Sequence, residues 1–346
     1  TIDVDKDWNN KAITNMKSLK LNEALYADVI RELASGARVS LPDGLKTDVI
    51  REYTGGEGID ADHIRSIPLC YVVEIKDGTV IAHPCVAGLP RYEGTDAATV
   101  IQQAINALPA NGGKIFIKKG TYTLTATIDL SGKEYVILES DGALFDVQHS
   151  GDAIKAVNTE TKKGLVIRGL RLKGLGVENS GHGINLQYVD EFLIEKCEID
   201  GFGTGADGAG IYVANSQNGV IRSNSILNCR NGYLTPQLDQ GHVKGIRIIG
   251  NYFYNMTDDA IHPERGNENV IAFNVCDTFG DDGIDTWSDI GTLIIGNIVR
   301  NGTSEEKVVD GIEIGDGSDK CIVIGNVVAN CGRGMHVYYS CLLYTS

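Results

Sequence analysis

The feature of the sequence that most constrains its fold is a repeat of short β-branched runs. The runs end at residues 170, 197, 224, 251, 274, 297 and 326, so they recur every 23 to 29 residues. Each period contains two or three short strands and no helix, a pattern that suits stacked β coils better than a leucine-rich horseshoe or a propeller. The repeat predicts an all-β fold, a single-stranded parallel β-helix of about eight coils.

In such a fold, equivalent residues of successive coils stack about 4.8 Å apart, so each repeat position becomes a ladder. One ladder consists of asparagines, namely Asn224, Asn251, Asn274, Asn297 and Asn326. Stacked side-chain amides bond to one another and to the turn backbone. We therefore interpret the asparagine ladder as structural.

A second ladder pairs a small residue with an inward apolar one, as in Gly283-Ile284 and Gly311-Ile312. Because side chains alternate along a strand, the residue after each pair points outward. The outward residues of successive coils are Lys155, Asn185, Tyr212, Leu234, His262, Asp285, Glu313 and His336. The last four carry more chemical groups than a solvated strand needs, and they predict a functional surface.

Residues 1–90 lack the repeat and are expected to form a small α+β module, with the β-helix domain over residues 91–346. The module would serve attachment, oligomerisation or capping. Its hairpin, over residues 70–85, turns at Asp77-Gly78. A regular hairpin places Cys70 opposite Cys85, which predicts a disulfide bond and favours an extracellular or cell-surface location.

The net charge and the lengths of the apolar runs limit the kinds of molecule that the protein is expected to bind. The formal net charge is −15, which makes nucleic acid or an anionic membrane an unlikely partner. No apolar run approaches the roughly 18 residues of a membrane span. The sequence begins at Thr1 without a signal-peptide pattern, so any export signal is expected to have been removed.

The segment before the first coil carries a family resemblance. Gly94-Thr95-Asp96 precedes a predicted capping helix over residues 96–109, and Asn111-Gly112-Gly113-Lys114-Ile115-Phe116-Ile117 and Gly120-Thr121-Tyr122 follow it. This arrangement resembles the first segment of pectate-lyase-like right-handed parallel β-helix proteins. The resemblance covers residues 90 to 340 and implies the fold. The superfamily includes lyases, glycosidases, epimerases, tailspikes and adhesins, so it does not select one activity.

Three kinds of chemistry compete for the ladder. Asp285 and Glu313, on adjacent coils, are candidate acid and base for glycoside hydrolysis. The same pair is a candidate calcium site, in which case His262 or Tyr212 becomes the base of a β-elimination. A zinc site formed by the last four ladder residues is the third reading.

Other candidates surround the ladder. Asp259 and Asp282 precede the small residues of their coils, where an aspartate is either catalytic or part of a turn; Asp152 and Asp310 share this position. Candidate substrate-binding residues are Tyr212, Tyr233, His242, Lys244, Glu264, Arg265, Trp287 and His336. Among them, His242, Lys244 and Arg265 would form a positive patch for a uronate. Trp287 would provide a stacking platform for a sugar ring.

Two motifs resemble enzymes of the superfamily without matching them. In Ala260-Ile261-His262-Pro263-Glu264-Arg265, His262 stands where alginate epimerases have aspartate, and Glu264 where they have histidine. Asp281-Asp282 and Gly181-His182-Gly183 resemble polygalacturonase motifs in reversed order. The roles of those families are therefore not transferred to this chain.

We expect a protein that binds an extended, uronate-containing polysaccharide and cleaves it by β-elimination or hydrolysis, with elimination slightly favoured by the resemblance. It would need no cofactor, or calcium. The alternative is a non-catalytic polysaccharide-binding adhesin or a tailspike-like structural protein, and a homo-oligomer is compatible with either.

Overall fold

The computed structural model describes residues 69–345 apart from residues 110, 177–180, 204–207, 237–241 and 305–307. These residues belong to one compact unit. Most of the module predicted over residues 1–90 lies outside the described residues, and only its hairpin falls within them.

The described chain is almost entirely β. In chain order its elements are β1 (Leu69–Lys76), β2 (Thr79–Pro84), β3 (Tyr92–Gly94), α1 (Ala97–Asn106), β4 (Gly113–Ile117), β5 (Thr121–Leu124), β6 (Ile128–Asp129), β7 (Val136–Ser140), β8 (Leu144–Val147), β9 (Ile154–Lys163), β10 (Val166–Arg168), β11 (Arg171–Lys173), β12 (Ile184–Asp190), β13 (Leu193–Glu195), β14 (Glu198–Asp200), β15 (Ala209–Ala214), β16 (Val220–Arg222), β17 (Ser225–Leu227), β18 (Asn231–Leu234), β19 (Arg247–Ile249), β20 (Tyr252–Met256), β21 (Ile261–His262), β22 (Val270–Ala272), β23 (Val275–Phe279), β24 (Asp282–Trp287), β25 (Leu293–Ile295), β26 (Ile298–Gly302), β27 (Asp310–Gly315), β28 (Asp319–Ile324), β29 (Val327–Ala329), β30 (Arg333–Val337) and β31 (Cys341–Thr345).

These strands form three long sheets. Sheet 1 contains β1 to β4 and then every third strand to β31; sheet 2 runs from β5 to β29, and sheet 3 from β6 to β30. Each coil contributes one strand to each sheet, and neighbouring coils pair in parallel, as β24 pairs with β27. The nine strands of sheet 3 are separated by eight coil-to-coil steps, which confirms the predicted parallel β-helix of about eight coils.

The interior of the solenoid is filled by the inward residues of sheet 3 and their counterparts in the other sheets. Ile154, Ile184, Ile211, Ile261 and Ile284 are completely buried. Neighbouring coils hold them in register, as Ile184 pairs with Ile211. The strand phase read from the small-apolar pairs is therefore confirmed.

The asparagine ladder is also confirmed as structural. The side-chain amide of Asn251 donates to Oδ1 of Asn274 at 3.0 Å and to the carbonyl of Ile221 at 2.9 Å. Oδ1 of Asn274 also accepts the backbone N–H of Asn251 at 2.9 Å. Each amide thus satisfies backbone groups that the turn leaves without a sheet partner.

Helix α1 covers the first coil. Asp96 caps its N-terminus by accepting the backbone N–H of Thr99 at 3.0 Å. Its face of Val100, Ile101 and Ile105 is buried. The helix ends at Asn106, a little before the predicted residue 109, because Pro109 disfavours helical backbone in the residue before it.

The predicted hairpin is present, formed by β1 and β2 with Lys76 opposite Thr79. On its other side β1 pairs in parallel with β4, where Val73 lies opposite Ile117. The hairpin therefore extends sheet 1, and a boundary at residue 90 does not separate it from the β-helix.

The predicted disulfide bond between Cys70 and Cys85 is not formed. The two residues are opposite each other, since the N–H of Cys85 donates to the carbonyl of Cys70 at 2.8 Å. However, Cys85 follows the end of β2, and its thiol is free and exposed. The side chain of Cys70 is buried against Gly113. The disulfide argument for an extracellular location is thereby lost.

We predict that two isoleucine-to-alanine substitutions, one at an inward position of sheet 3 and one at an outward position of sheet 2, differ clearly in their effect on stability. Ile284→Ala removes a fully buried side chain and should cost about 2–5 kcal/mol through the cavity it leaves. Ile298→Ala, on the outer face of sheet 2 and 41% exposed, should change stability by less than about 0.5 kcal/mol. Thermal unfolding compares the two; equal losses would contradict the assigned phase.

Candidate functional site

A groove of about 840 Å³ lies on the outer face of sheet 3 over its C-terminal coils. Seven carboxyl groups line it: Asp258, Asp259, Asp281, Asp282, Asp285, Asp310 and Glu313. The guanidinium groups in its lining, those of Arg230 and Arg333, pair with Asp258 and Asp310. The groove is therefore strongly acidic.

The predicted ladder is present in this groove. Leu234 pairs with His262, Asp285 with Glu313, and Glu313 with His336 on successive coils. Four ionisable side chains follow one another because the coils stack in register. The sequence predicted this juxtaposition correctly.

The aspartates before the small residues form a second column with two functions. Oδ1 of Asp259 accepts the backbone N–H of Asp282 at 2.8 Å, and Oδ1 of Asp282 accepts that of Asp310 at 2.9 Å. This is the turn role expected from sequence. The remaining oxygen of Asp259 contacts His262, so the same side chain also takes part in the site.

His262 lies at the centre of the carboxyl groups. Its Nδ1 donates to Oδ2 of Asp259 at 2.8 Å, and its Nε2 lies 3.5 Å from Oδ2 of Asp285. Burial lowers the pKa of the imidazole, but the hydrogen bond to Asp259 and the charges of Asp259, Asp285 and Glu264 outweigh it and raise the pKa to about 10. At neutral pH the imidazole holds its proton and is a poor general base.

The carboxyl groups of Asp282, Asp285 and Glu313 lie near His262, and burial and nearby negative charges raise the pKa of each. Burial, followed by the charges of Asp259, Asp285 and Asp281, raises the pKa of Asp282 to about 9. Burial also raises the pKa of Asp285 well above its usual range, although His262 opposes this. Burial raises the pKa of Glu313 as well. Asp282 therefore retains its proton at neutral pH, and the pKa values of Asp285 and Glu313 are shifted in the same direction.

A cluster of ion pairs, formed by Asp310, Glu313, Arg333 and His336, lies at the C-terminal end of the ladder. Nδ1 of His336 is 3.0 Å from Oε2 of Glu313 and 3.1 Å from Oδ2 of Asp310. Arg333 binds both oxygens of Asp310 with its guanidinium. His336 therefore positions Glu313, and Arg333 compensates the charge of Asp310.

The predicted aromatic residues divide between groove and core. Tyr212 lines the groove and stacks on His182, with ring centroids 4.5 Å apart. Trp287 lines it too and meets His262 edge-on at 6.4 Å. The assignment of Tyr233 to substrate binding was wrong, because Tyr233 occupies an inward position and is completely buried.

The predicted positive patch does not line the groove. His242 is exposed beside the carbonyl of Arg265, and Lys244 pairs with Glu268. Nε of Arg265 is 3.9 Å from Glu264, which is itself 3% exposed. Glu264 therefore lies behind the groove rather than on its surface.

Sequence reasoning missed the two arginines of the groove as functional candidates. Arg333 shares the column position of Asp310, and Arg230 immediately precedes Asn231 in that column. The repeat position of Arg333, one coil after Asp310, is the sequence signal that places it beside the acidic residues.

Several carboxylates lie close enough to share a cation. One oxygen each from Asp282, Asp285 and Glu313 lie within 4.8 Å of one another, as do ligand atoms of Asp259, His262 and Asp285. The first set contains the predicted calcium pair and consists only of oxygens, which suits a hard cation.

A comparison with models of protein families shows which family the chain belongs to. The model described as "Right handed beta helix region" matches residues 145–244 and 182–345, together more than half of the chain. The chain belongs to this family. The right-handed β-helix implied by the resemblance is thereby confirmed. None of the curated proteins matches the sequence. No helix in the described part of the chain is long and apolar enough to cross a membrane.

Solved structures share the fold at low identity. An alginate lyase from Paenibacillus sp. str. FPU-7 is 16% identical, with a TM-score of 0.52 over 72% of this chain and 97% of that one. ORF18 of Geobacillus virus E2 is 13% identical, with a TM-score of 0.47 over 71% of this chain and 58% of that one. The tailspike protein of Acinetobacter baumannii phage AM24 is 14% identical, with a TM-score of 0.43 over 72% and 52%. This chain spans little more than half of the two viral proteins.

We predict that replacing Asp282 stabilises the protein in a pH-dependent way. Between the ordinary pKa of 3.8 and about 9, folded Asp282 keeps a proton that the unfolded chain releases, so its effect on stability becomes more unfavourable as pH rises. Asp282→Asn keeps the oxygen that accepts the N–H of Asp310. The gain in Tm of this variant over the parent should therefore grow from pH 4 to pH 8.

The control for this effect is Asp200→Asn, on the surface of sheet 2, whose Tm difference from the parent should stay nearly constant across the same pH range. A gain for Asp282→Asn that is flat with pH would show that Asp282 ionises normally in the folded protein.

Proposed function

We propose that this chain hydrolyses an extended polysaccharide bound along the groove of sheet 3, with Asp282 as the general acid. The observation that carries the proposal is the carboxyl group of Asp282, whose pKa is raised to about 9 inside a groove that also presents Asp285 and Glu313. A carboxylic acid that stays protonated at neutral pH can donate its proton to a glycosidic oxygen.

Glu313 is the partner of this acid in the proposed reaction. It lies one coil beyond Asp285, and His336 holds its Oε2 at 3.0 Å. In the ionised form it would attack the anomeric carbon while Asp282 protonates the leaving oxygen, and a water activated by the ionised Asp282 would then release the sugar from Glu313. Oxygens of the two residues lie within 4.8 Å of each other, which is too close for a water to act between them in the first step. Asp285, between them, raises the pKa of Asp282 by its charge.

The shape and lining of the groove support a linear substrate. It extends from Tyr212 to Arg333 across successive coils. Trp287 and Tyr212 offer aromatic surfaces on which sugar rings pack, and both lie beside the ladder.

The charge of the groove favours hydrolysis over elimination. Elimination from a uronate needs a base and a positive group that stabilises the carboxylate. His262 holds its proton at neutral pH, and the arginines of the described groove lining pair with Asp258 and Asp310. An anionic sugar would meet a surplus of negative charge, so we propose a neutral polysaccharide as the preferred substrate.

One observation favours a second candidate, calcium-dependent elimination from a uronate. The oxygens of Asp282, Asp285 and Glu313 lie within 4.8 Å of one another and suit Ca²⁺. A bound calcium ion would reverse the local charge and attract a uronate carboxylate. The alginate lyase of similar fold is 16% identical and supports only the architecture.

We predict that Asp282→Asn and Glu313→Gln each lower turnover by about 10²–10⁴-fold while the protein stays folded, since a positioned acid or base contributes that factor. The measurement is release of reducing ends from neutral glucans, pectate and alginate. Asp200→Asn serves as the matched control and should keep parental activity.

Two readouts separate the candidate functions. Hydrolysis should persist after chelation and yield saturated products, whereas elimination should require added Ca²⁺ and yield unsaturated products that absorb ultraviolet light. Binding of a polysaccharide without any product would contradict both and favour an adhesin or tailspike role. Parental turnover in both carboxyl variants would place the chemistry elsewhere.

A further inference from the structure

At its N-terminal end, away from the carboxyl groups, the groove is lined by a tyrosine that stacks on a histidine. The phenol ring of Tyr212 lies on the imidazole of His182, with ring centroids 4.5 Å apart and planes 20° from parallel. The imidazole covers one face of the phenol ring and leaves the other face to the groove. An aromatic face fixed in this way is a surface on which the C–H groups of a sugar ring pack.

His182 offers more than its position in the turn requires. Its Nδ1 accepts the backbone N–H of Ala209 at 3.1 Å, a bond that fixes the orientation of the ring. In the same column, Oδ1 of Asn231 accepts the N–H of Asp259 at 3.2 Å, so an amide is sufficient for this bond. The imidazole satisfies the turn and adds a flat ring on which Tyr212 packs. We therefore assign the histidine a second role, which is to hold the phenol ring.

Polar side chains continue the surface just beyond Tyr212. Asn185 lies directly opposite Tyr212 on the preceding coil. Its Nδ2 donates to Oδ2 of Asp152 at 2.9 Å, and its Oδ1 accepts a hydrogen from Nε2 of Gln187 at 3.2 Å. Side-chain amides both donate and accept, as sugar hydroxyl groups do. An aromatic surface bordered by amides suits an uncharged sugar.

The stacked pair is remote from the proposed acid. Tyr212 pairs with Leu234, Leu234 pairs with His262, and the strand of His262 pairs with that of Asp282. Three coil steps therefore separate Tyr212 from the coil of Asp282, which is about 14 Å along the groove. Each sugar of an extended chain advances by a length similar to one coil step. A polysaccharide that contacts both points thus places about four sugar rings between and on them.

Trp287 provides an aromatic surface at the coil of the acid. It lies directly opposite Gly315 on the next coil. A Cβ at position 315 would lie 2.7 Å from Cδ1 and 2.9 Å from Nε1 of Trp287, so the indole occupies the space that a larger residue would need. The groove therefore has two supported aromatic surfaces, one at the acid and one at Tyr212.

We propose that Tyr212, positioned by His182, forms a remote sugar-binding subsite that selects neutral polysaccharides of about four or more sugars. The groove also continues two coils beyond Asp282, to Arg333, so a bound polysaccharide extends to both sides of the acid. Cleavage then falls at internal bonds. This inference rests on the proposed function, because it takes the groove to hold a linear polysaccharide.

Binding of oligosaccharides of graded length tests the subsite without cleavage. Cello-oligosaccharides and laminari-oligosaccharides, from the disaccharide to the octasaccharide, are titrated by calorimetry into Asp282→Asn protein, which lacks the proposed acid. We expect the affinity to increase as the oligosaccharides become long enough to reach Tyr212, at about four sugars. Tyr212→Ala in the same background should weaken hexasaccharide binding about tenfold and disaccharide binding much less.

Three further variants in this background separate stacking from other effects. Tyr212→Phe keeps the ring and should retain more hexasaccharide affinity than Tyr212→Ala. His182→Asn keeps an acceptor for the N–H of Ala209 but removes the ring beneath Tyr212, so it should weaken hexasaccharide binding about threefold at an unchanged Tm. Tyr252→Ala removes a tyrosine that is 37% exposed on sheet 2, and this matched control should bind as the background does.

Three results would overturn the subsite. Tyr212→Ala could weaken disaccharide and hexasaccharide binding by the same factor, could leave the length dependence intact, or neither series could bind at millimolar concentration. The fate of the proposed hydrolysis is read separately, from release of reducing ends by the parent protein. Length-dependent binding without such release would contradict hydrolysis and retain the subsite, whereas release with no effect of Tyr212→Ala would do the reverse.

Discussion

The parallel pairing of one coil with the next is the interaction on which the rest of this structure depends. Pairing in strict register, as between β24 and β27, places equivalent residues directly above one another. A residue type that recurs with the coil period therefore meets copies of itself. In the asparagine ladder this contact stabilises, because amides both donate and accept. In the aspartate column the pKa of Asp282 is raised first by burial and then by the like charges that the register brings together.

Register also explains why so much of the fold was predictable. The repeat period alone gives parallel pairing, and the small-apolar pairs give the phase, which the burial of Ile261 and Ile284 confirms. Once period and phase are known, the order of His262, Asp285 and Glu313 along the outer face follows without further information. The candidate ladder is therefore the part of the site that sequence predicts best.

The sequence-based predictions failed mainly where the chain departs from the regular repeat. Cys85 lies just beyond a strand end, where pairing no longer controls the direction of a side chain. Glu264 is buried because the chain turns at Arg265, a local dihedral angle that no repeat position encodes. Tyr233 was assigned to the surface although its own column position is inward. The errors at Cys85 and Glu264 arise from local geometry that the repeat does not determine. The error at Tyr233 does not, because the repeat itself places Tyr233 at an inward position.

The aspartate column contains carboxyl groups at positions where the fold requires only a hydrogen-bond acceptor. Asn231 occupies the same column one coil earlier and accepts the N–H of Asp259 at 3.2 Å with an uncharged oxygen. An amide is therefore sufficient for the turn. Asp259 and Asp282 make the same kind of bond with a carboxyl group, whose ionisation in a buried position costs stability. A sequence that keeps charges its fold does not require, on successive coils and beside one groove, violates a local rule where function is expected. Asp152, outside the groove, makes the same bond to the N–H of His182 at 2.8 Å, so a single aspartate in the column is compatible with a turn role. What distinguishes the groove is the run of aspartates at positions 259, 282 and 310 on three successive coils.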